Sequence, residues 1–189
     1  MNGNFLIVGL GNIGREYDLT RHNVGFEVVD YMAQLQEITF AADRYAHIAT
    51  FKLKGNTVIL AKPTTYMNLS GKAVRYQLEK HGIEQKNLLV IADDKDLPLG
   101  TLRLKPKGTG GTHNGINHIV ETLNSVDFPR LKVGIGNDFA KGFQVQFVLS
   151  KFTIEEIKIM QPCLKQAVEM VQSFVTQGID RTMNLYNKK

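Results

Sequence analysis

Four side chains that can bind a ligand or move a proton stand where apolar runs of this sequence end. Asn12 comes just after the first apolar run, and His22 ends the polar loop that follows the same run. Asn68 and Asp93 follow two further runs that are typical of buried strands. Because the carboxyl ends of strands form the functional crevice of an open α/β sheet, we expect these four groups to converge.

The residue types define a narrow chemistry. His22 beside Asp93 would be a general base whose tautomer the carboxylate fixes. Neutral amides can donate to a peptide carbonyl, accept from a peptide N–H and stabilise an oxyanion without competing for the proton. Asn114 adds a third amide if the glycine-rich loop before it carries it back to this edge. No G-x-S-x-G motif occurs and Cys163 lies in a predicted helix, so we expect water to be the nucleophile.

Each of these residues also has a purely structural interpretation. Asn68 and Asn114 both precede predicted helices and can be N-caps. A lone histidine such as His22 is more often a loop residue with satisfied hydrogen bonds, and Tyr17 and Tyr66 are more often packing residues than ligand contacts. We interpret three further histidines as structural, in a strand, at a helix end and on a helix surface: His47, His81 and His118.

An acidic cluster offers a different reaction class. Asp93, Asp94 and Asp96 can hold Mg²⁺, which would make the chain a metal-dependent phosphoesterase. Two histidines, His113 and His118, give this hypothesis little support, because a five-residue step does not place two side chains on one helical face. Activity that survives EDTA would dismiss it.

A glycine motif suggests a dinucleotide site but lacks its context. Gly9, Gly11 and Gly14 match G-x-G-x-x-G directly after a strand. A dinucleotide site also needs a helix that begins inside the motif and an acidic residue after a second strand. The predicted helix begins well after the motif and occupies the place of that second strand. We expect the glycines to allow a sharp turn at the strand end instead.

The elements that must position these residues alternate between strand and helix, which indicates a single α/β domain over residues 1–189. A hairpin makes the sheet mixed, and we expect a twisted sheet with helices on both faces. Pro162 must kink or divide the C-terminal helical region, which opens with a capping box at Thr153. The predicted strands are 5–10, the hairpin 46–62, 87–92, 101–105 and 130–135, and the predicted helices are 24–35, 69–81 and 115–124.

Composition sets broad limits on the chain. Hydrophobic residues make up 43% and charged residues 22%, which is typical of a globular protein. The single cysteine excludes an internal disulfide framework, and neither a membrane span nor a secretory signal is evident, so we expect a cytoplasmic protein. The net charge of +5 is compatible with simple solubility or with a polyanionic partner.

Six motifs in register cover nearly the whole chain. They are Val8-Gly-Leu-Gly-Asn-Ile-Gly14, Thr20-Arg-His-Asn-Val-Gly25, Pro63-Thr-Thr-Tyr-Met-Asn-Leu-Ser-Gly71, Asp93-Asp-Lys-Asp-Leu-Pro98, His113-Asn-Gly115 and Lys132-Val-Gly-Ile-Gly136. On these motifs the sequence resembles bacterial peptidyl-tRNA hydrolase. The resemblance implies an enzyme that hydrolyses the ester between a peptide and the 3′-terminal adenosine of tRNA, releasing both.

The resemblance also implies roles for individual residues. His22 is then the base that deprotonates water, and Asp93 keeps it basic and oriented. Asn12 would recognise the N-blocked peptidyl group, whereas Asn68 and Asn114 would hold the substrate and the attacking water.

The resemblance extends to the RNA side of the substrate. Tyr17 and Tyr66 match positions at the tRNA end, where they can stack on a base. Lys105 and Lys132 match a basic clamp for the tRNA 5′ phosphate. The family is expected to act as a monomer on peptidyl-tRNA without metal or cofactor.

Two positions depart from the family pattern. Lys132 stands where arginine is frequent, so forked hydrogen bonding to phosphate is lost. Thr112 replaces a glycine that is common before His113. The backbone conformation of the loop at this position can therefore differ from that of the family. An alternative within the same fold is an RNA-binding relative, such as a splicing factor, that holds RNA without hydrolysis. A release assay on an N-blocked aminoacyl-tRNA would distinguish the two.

Overall fold

A seven-stranded mixed sheet forms the centre of the computed structural model, which describes residues 3–187. The strand order is β2-β3-β4-β1-β5-β7-β6, with β1, β4, β5 and β7 mutually parallel. Strands β2, β3 and β6 are antiparallel to their neighbours and lie toward the two edges. The strands are β1 Asn4–Gly9, β2 Ala41–Asp43, β3 Ala46–Leu53, β4 Asn56–Pro63, β5 Leu88–Asp94, β6 Leu102–Lys105 and β7 Arg130–Gly134.

Helices cover both faces of the sheet, as the sequence predicts. Helices α1 and α5 pack on one face, and α2 and α3 pack on the other, which divides the core into two apolar clusters. The alternation along β1 follows from this arrangement, since Ile7 contributes to the first cluster and Leu6 and Val8 to the second. The helices are α1 Val24–Leu35, α2 Ser70–His81, α3 Asn114–Leu123, α4 Gln144–Val148, α5 Ile154–Gln177 and α6 Ile179–Tyr186. None of them is long and apolar enough to cross a bilayer.

The first two glycines of the motif serve close packing, whereas Gly14, whose φ is +117°, provides the expected turn. Neither Gly9 nor Gly11 has a positive φ, so the expected sharp turn at these two residues is wrong. A Cβ on Gly9 would lie 2.1 Å from the carbonyl oxygen of Gly25, and a Cβ on Gly11 would meet the ring of Phe26 at 2.8 Å. The missing side chains therefore let α1 approach the end of β1. Because α1 begins only at Val24, no helix N-terminus faces the motif as a dinucleotide site requires.

The C-terminal region is not divided at Pro162, one of the two outcomes that the sequence predicted there. Helix α5 continues past this proline, and the chain breaks instead at Gly178, whose φ is +85°. Pro162 is exposed, and so is Lys158, whose carbonyl would accept the missing amide hydrogen bond and can be hydrated there. The short elements β2 and α4 have no counterpart among the predicted ones, because segments of three and five residues carry little periodicity.

Candidate active site

His22 and Asp93 meet at the carboxyl edge of the parallel strands. His22 lies in a 3-10 turn, Arg21–Asn23, that leads directly into α1, and Asp93 is near the end of β5. The Nδ1 atom of His22 is 2.9 Å from Oδ1 of Asp93. The Asp93 side chain is 4% exposed and the His22 side chain 13% exposed, so the carboxylate is buried behind an imidazole that solvent can reach.

A second histidine, which the sequence analysis did not include in the site, contacts the same carboxylate oxygen. His113 Nε2 is 3.0 Å from Asp93 Oδ1, while its Nδ1 accepts the backbone N–H of Ile116 at 3.2 Å. An acceptor Nδ1 carries no proton, so Nε2 carries it and donates to Asp93. His113 is thus the N-cap of α3, and the N-cap interpretation of Asn114 is wrong.

The two imidazoles keep Asp93 ionised. Burial by itself would raise the pKa of Asp93, but the electrostatic interactions and hydrogen bonds with His113 and His22 outweigh it and hold that pKa well below its ordinary value. A permanent carboxylate accepts the Nδ1–H of His22. The unprotonated Nε2 of His22 is then the basic nitrogen of the pair.

Asn12 is held by its backbone and by its side-chain oxygen. Asn23 Oδ1 accepts the backbone N–H of Asn12 at 2.8 Å, and Asn23 Nδ2 donates to the backbone carbonyl of Asn12 at 2.9 Å. The Oδ1 of Asn12 accepts the N–H of Met67 at 2.7 Å. This contact fixes the orientation of the Asn12 amide and leaves its Nδ2 donor without a partner among the described residues. Asn23 is a second site residue that the sequence analysis missed.

A cavity of about 570 Å³ joins these groups to the other two amides. Asn12, His22, Asp93, Asn68 and Asn114 all line it, and the last two are exposed. Asn68 does not cap α2, because Leu69 is at the N-cap position and no side chain caps this helix. The structure thus places the imidazole, the carboxylate and all three predicted amides around one cavity.

The two tyrosines differ in position. Tyr66 lines the cavity and is 59% exposed, which leaves its ring free for stacking. Tyr17 ends a 3-10 turn at Arg15–Tyr17 and is not among the residues that line the cavity. The structure therefore brings Tyr66, but not Tyr17, next to the other site residues.

Comparison with known proteins identifies the family. The model of the peptidyl-tRNA hydrolase family matches residues 6–189. The chain belongs to this family. It is 55% identical over 185 residues to a peptidyl-tRNA hydrolase of Cytophaga hutchinsonii, covering 98% of both chains, and 52% identical to one of Phocaeicola vulgatus, covering 98% of this chain and 99% of the other. A crystal structure of peptidyl-tRNA hydrolase from Acinetobacter baumannii superposes with a TM-score of 0.91 at 35% identity, over 97% of this chain and 94% of that one.

The basic residues of the peptidyl-tRNA hydrolase family pattern lie at the outer side of the cavity. Lys105 and Lys132 both line it, on the adjacent strands β6 and β7. Lys105 is exposed, whereas Lys132 Nζ pairs with Asp94 Oδ2 at 2.7 Å. Threonine at position 112 does not strain the backbone, because Thr112 does not have a positive φ, the conformation that would favour glycine.

The predicted magnesium cluster does not assemble. Asp94 pairs with Lys132, and Asp96 pairs with Lys95 at 2.8 Å, so the acids that neighbour Asp93 in sequence already have cationic partners. Among residues 3–187, the set of three potential ligand atoms lying within 4.8 Å of one another belongs to His22, Asp93 and His113. Metal binding there would need the lone pair of His113 Nε2, but that nitrogen carries the proton while Nδ1 caps α3. This trio therefore fits a hydrogen-bonded network and not a metal site.

One wall of the cavity comes from an element that sequence periodicity did not reveal. Helix α4 contributes Gln144, Val145 and Val148 to the lining. Arg21 anchors the segment after α4, because its guanidinium donates to the carbonyl of Lys151 and to Glu156, both at 2.7 Å. The residue beside His22 thus fixes the adjoining wall of the cavity.

The remaining histidines lie outside the cavity lining. His47 is exposed on β3, and His81 ends α2, where burial and the neighbouring Lys80 lower its pKa. His118 is not simply a surface residue of α3, because its Nδ1 accepts the N–H of Gly71 at 2.9 Å and joins α3 to α2.

Proposed function

We propose that this chain hydrolyses the ester bond of peptidyl-tRNA with a water molecule activated by His22, releasing free tRNA and peptide. The observation that carries the proposal is the pairing of His22 Nδ1 with the ionised Asp93, which leaves Nε2 as the basic nitrogen of a residue that lines the cavity. Membership of the peptidyl-tRNA hydrolase family supports the substrate class.

The reaction balances with the groups present. His22 Nε2 takes a proton from water as the oxygen attacks the ester carbonyl, and Asp93 stabilises the imidazolium that forms. The side-chain amides of Asn68 and Asn114 can donate to the oxyanion or position the water. Collapse of the tetrahedral intermediate breaks the ester bond, and the imidazolium returns the proton to the 3′ oxygen of the leaving tRNA.

Asn12 provides a reason for preferring N-blocked substrates. Its Oδ1 already accepts the N–H of Met67, whereas its Nδ2 has no partner among the described residues and can donate to a ligand. That donor suits the carbonyl that blocks the nitrogen of a peptidyl group. A free α-ammonium is itself a donor and cannot accept a hydrogen bond from that N–H. We propose that Asn12 discriminates peptidyl-tRNA from aminoacyl-tRNA in this way.

The RNA side of the proposal rests on exposed groups at the rim. Tyr66 can stack on a base of the tRNA end, and Lys105 and Lys132 can contact its 5′ phosphate. Tyr17 would have to contact RNA outside the cavity. We propose a monomeric enzyme of the cytoplasm that needs no protein partner.

A release assay on purified N-acetyl-aminoacyl-tRNA tests the base. His22→Ala should lower kcat by about 10²–10⁴-fold, the usual contribution of a general base, and leave the tRNA dissociation constant nearly unchanged. His47→Ala removes an exposed imidazole from β3 and is the matched control. Wild-type turnover in His22→Ala would overturn the assignment, and binding without turnover in the wild type would favour the RNA-binding alternative.

A further inference from the structure

The loop between β6 and α3 turns its carbonyl groups toward the protein. Within this glycine loop, residues 108–112, the carbonyl of Thr109 accepts from Arg130 Nη1 at 3.3 Å. The carbonyl of Gly110 accepts the N–H of His113 at 2.9 Å, and that of Gly111 accepts Asn117 Nδ2 at 2.9 Å. Three successive carbonyls are therefore satisfied on the inner side of the loop.

The amides of the same peptide units must point the other way. In a trans peptide the N–H is antiparallel to the carbonyl, so the N–H groups of Gly110, Gly111 and Thr112 point away from those inner partners. None of the three N–H groups makes a hydrogen bond to another group in the described part of the chain. All three residues line the cavity. Successive unpaired amides on a concave surface are a recurrent anion-binding arrangement.

An uncompensated buried cation lies beneath the loop. Arg130 is only 1% exposed, and no carboxylate within residues 3–187 lies at ion-pair distance from it. Its guanidinium donates to carbonyls of Thr109 and Val126 and stacks on the ring of Phe128, while its Nε has no partner. Burial lowers the pKa of Arg130 to about 10, so the residue remains charged at neutral pH. A buried charge without a counter-ion is costly, and a bound anion nearby would offset that cost.

The surface next to Arg130 also carries positive charge. In the register of β6 and β7, Lys105 lies opposite Arg130, which is an unfavourable pairing of like charges. Lys107 lies between β6 and the glycine loop, lines the cavity and is exposed. Cations placed opposite one another indicate that this part of the molecule is built to meet an anion.

We propose that the three loop amides bind a phosphate group of the RNA and that Arg130 is the positioning residue that holds the loop for it. The proposal deepens the proposed function, since the RNA would be that of peptidyl-tRNA. The guanidinium does not touch the phosphate. It holds the Thr109 carbonyl toward itself, so that the Gly110 N–H of the same peptide unit points away from it. It also adds a positive charge that bulk salt screens only weakly.

Amide resonances of the intact chain provide the direct test. Inorganic phosphate, titrated against chloride at constant ionic strength, should shift the amide protons of Gly110, Gly111 and Thr112 downfield along one binding curve. The amides of Gly142 and Gly178, in exposed loops that do not line the cavity, should not follow that curve. Unshifted loop amides at phosphate concentrations that saturate any other site would overturn the proposal.

Two substitutions separate positioning from net charge. Arg130→Met should weaken phosphate binding by about tenfold, which corresponds to about 1.4 kcal/mol. Arg75→Met removes the same charge from the exposed surface of α2 and should change the dissociation constant by less than about twofold. Equal losses in the two variants would overturn the positioning role. Should Arg130→Met fail to fold, Arg130→Lys keeps the charge but loses the fork, and is expected to weaken binding less than tenfold without restoring the wild-type value.

RNA hairpins with a single-stranded 3′ end identify the source of the phosphate. Loop shifts that require a 5′-phosphate would assign the site to the terminal phosphate, whereas equal shifts with a 5′-hydroxyl hairpin would assign it to an internal phosphodiester. Hairpin binding without any loop shift would overturn the proposal. Because none of these measurements depends on turnover, failure of the hydrolysis assay and failure of the loop site would be distinguishable.

Discussion

The centre of the cavity and its rim differ in burial and in the kind of contact that their side chains make. At the imidazole–carboxylate centre, formed by His22, Asp93 and His113, the side chains are nearly buried and their mutual hydrogen bonds fix each proton. At the basic rim, formed by Lys105, Lys107 and Lys132, the first two cations are exposed, and Lys132 is half-buried and is the only one with a carboxylate partner in the described residues.

This difference determines which interaction each region can contribute: strong hydrogen bonds at the centre and long-range electrostatic attraction at the rim. A hydrogen bond between nearly buried groups is weakly screened and is worth more when one partner is charged. Exposed cations attract a polyanion over a distance but are screened by salt, so each contributes little alone. We therefore expect substitutions at the centre to change kcat and substitutions at the rim to change KM and salt dependence.

The largest effect should come from the carboxylate. Asp93→Asn should lower kcat by about 10²–10⁴-fold, because an amide can hold the imidazole by a hydrogen bond but cannot stabilise the imidazolium by charge. Asp96→Asn is the matched control, since Asp96 is exposed and pairs only with the neighbouring Lys95. Single-turnover release measures both variants, and a loss of similar size in Asp96→Asn would contradict the division between centre and rim.

The second histidine of the centre should have an intermediate effect with a pH signature. His113→Leu removes one N–H donor from Asp93, worth about 1.5–3 kcal/mol for a charged acceptor, or about 10–100-fold in kcat. The pKa of Asp93 should rise in this variant, because burial, which raises it, is then opposed by His22 alone. Activity should therefore fall more steeply on acidification than in the wild type.

His113→Gln controls for the lost contact, because its side-chain amide can still donate a hydrogen bond. It should restore part of the activity and a shallower acid limb in the pH profile of kcat. Identical profiles for the wild type and His113→Leu would show that His113 acts only as the cap of α3.

Whether a site residue could be predicted from the sequence depends on how far apart in the chain the residues that it contacts lie. His22, Asp93 and Asn12 were identified because each follows a strand, and strand ends share an edge. His113 was missed as a partner of Asp93, because the return of a ten-residue glycine-rich segment is a tertiary event that local pattern does not encode.

The same limit explains the other differences. The capping box at Thr153 and the end of the predicted helix 69–81 are local features and are confirmed. The packing of Gly9 against Gly25 and the pairing of Lys132 with Asp94 join distant parts of the chain, so neither could be predicted from spacing. That the helix continues past Pro162 depends on the exposure of this position, which spacing does not reveal either.

At the rim the effects should be smaller and dependent on salt. Lys105→Ala should raise KM without changing kcat. The slope of log binding constant against log salt concentration should decrease in magnitude by about 1, as expected for the loss of one phosphate contact. Lys141→Ala, which removes an exposed lysine outside the cavity lining, should leave both KM and the slope unchanged. A drop in kcat for Lys105→Ala at saturating substrate would mean that the rim takes part in the chemical step.

The smallest effect should be a gain. Asp94→Asn releases Lys132 from its 2.7 Å ion pair, so the ammonium can approach an RNA phosphate without first losing a partner. Partly exposed ion pairs are worth about 0–1 kcal/mol, so RNA affinity should rise by about two- to fivefold at low salt, and the gain should shrink as salt increases. The combination of Asp94→Asn with Lys132→Ala should abolish the gain. If the double variant still binds RNA more tightly than Lys132→Ala alone, Asp94 repels the RNA directly and does not act by occupying Lys132.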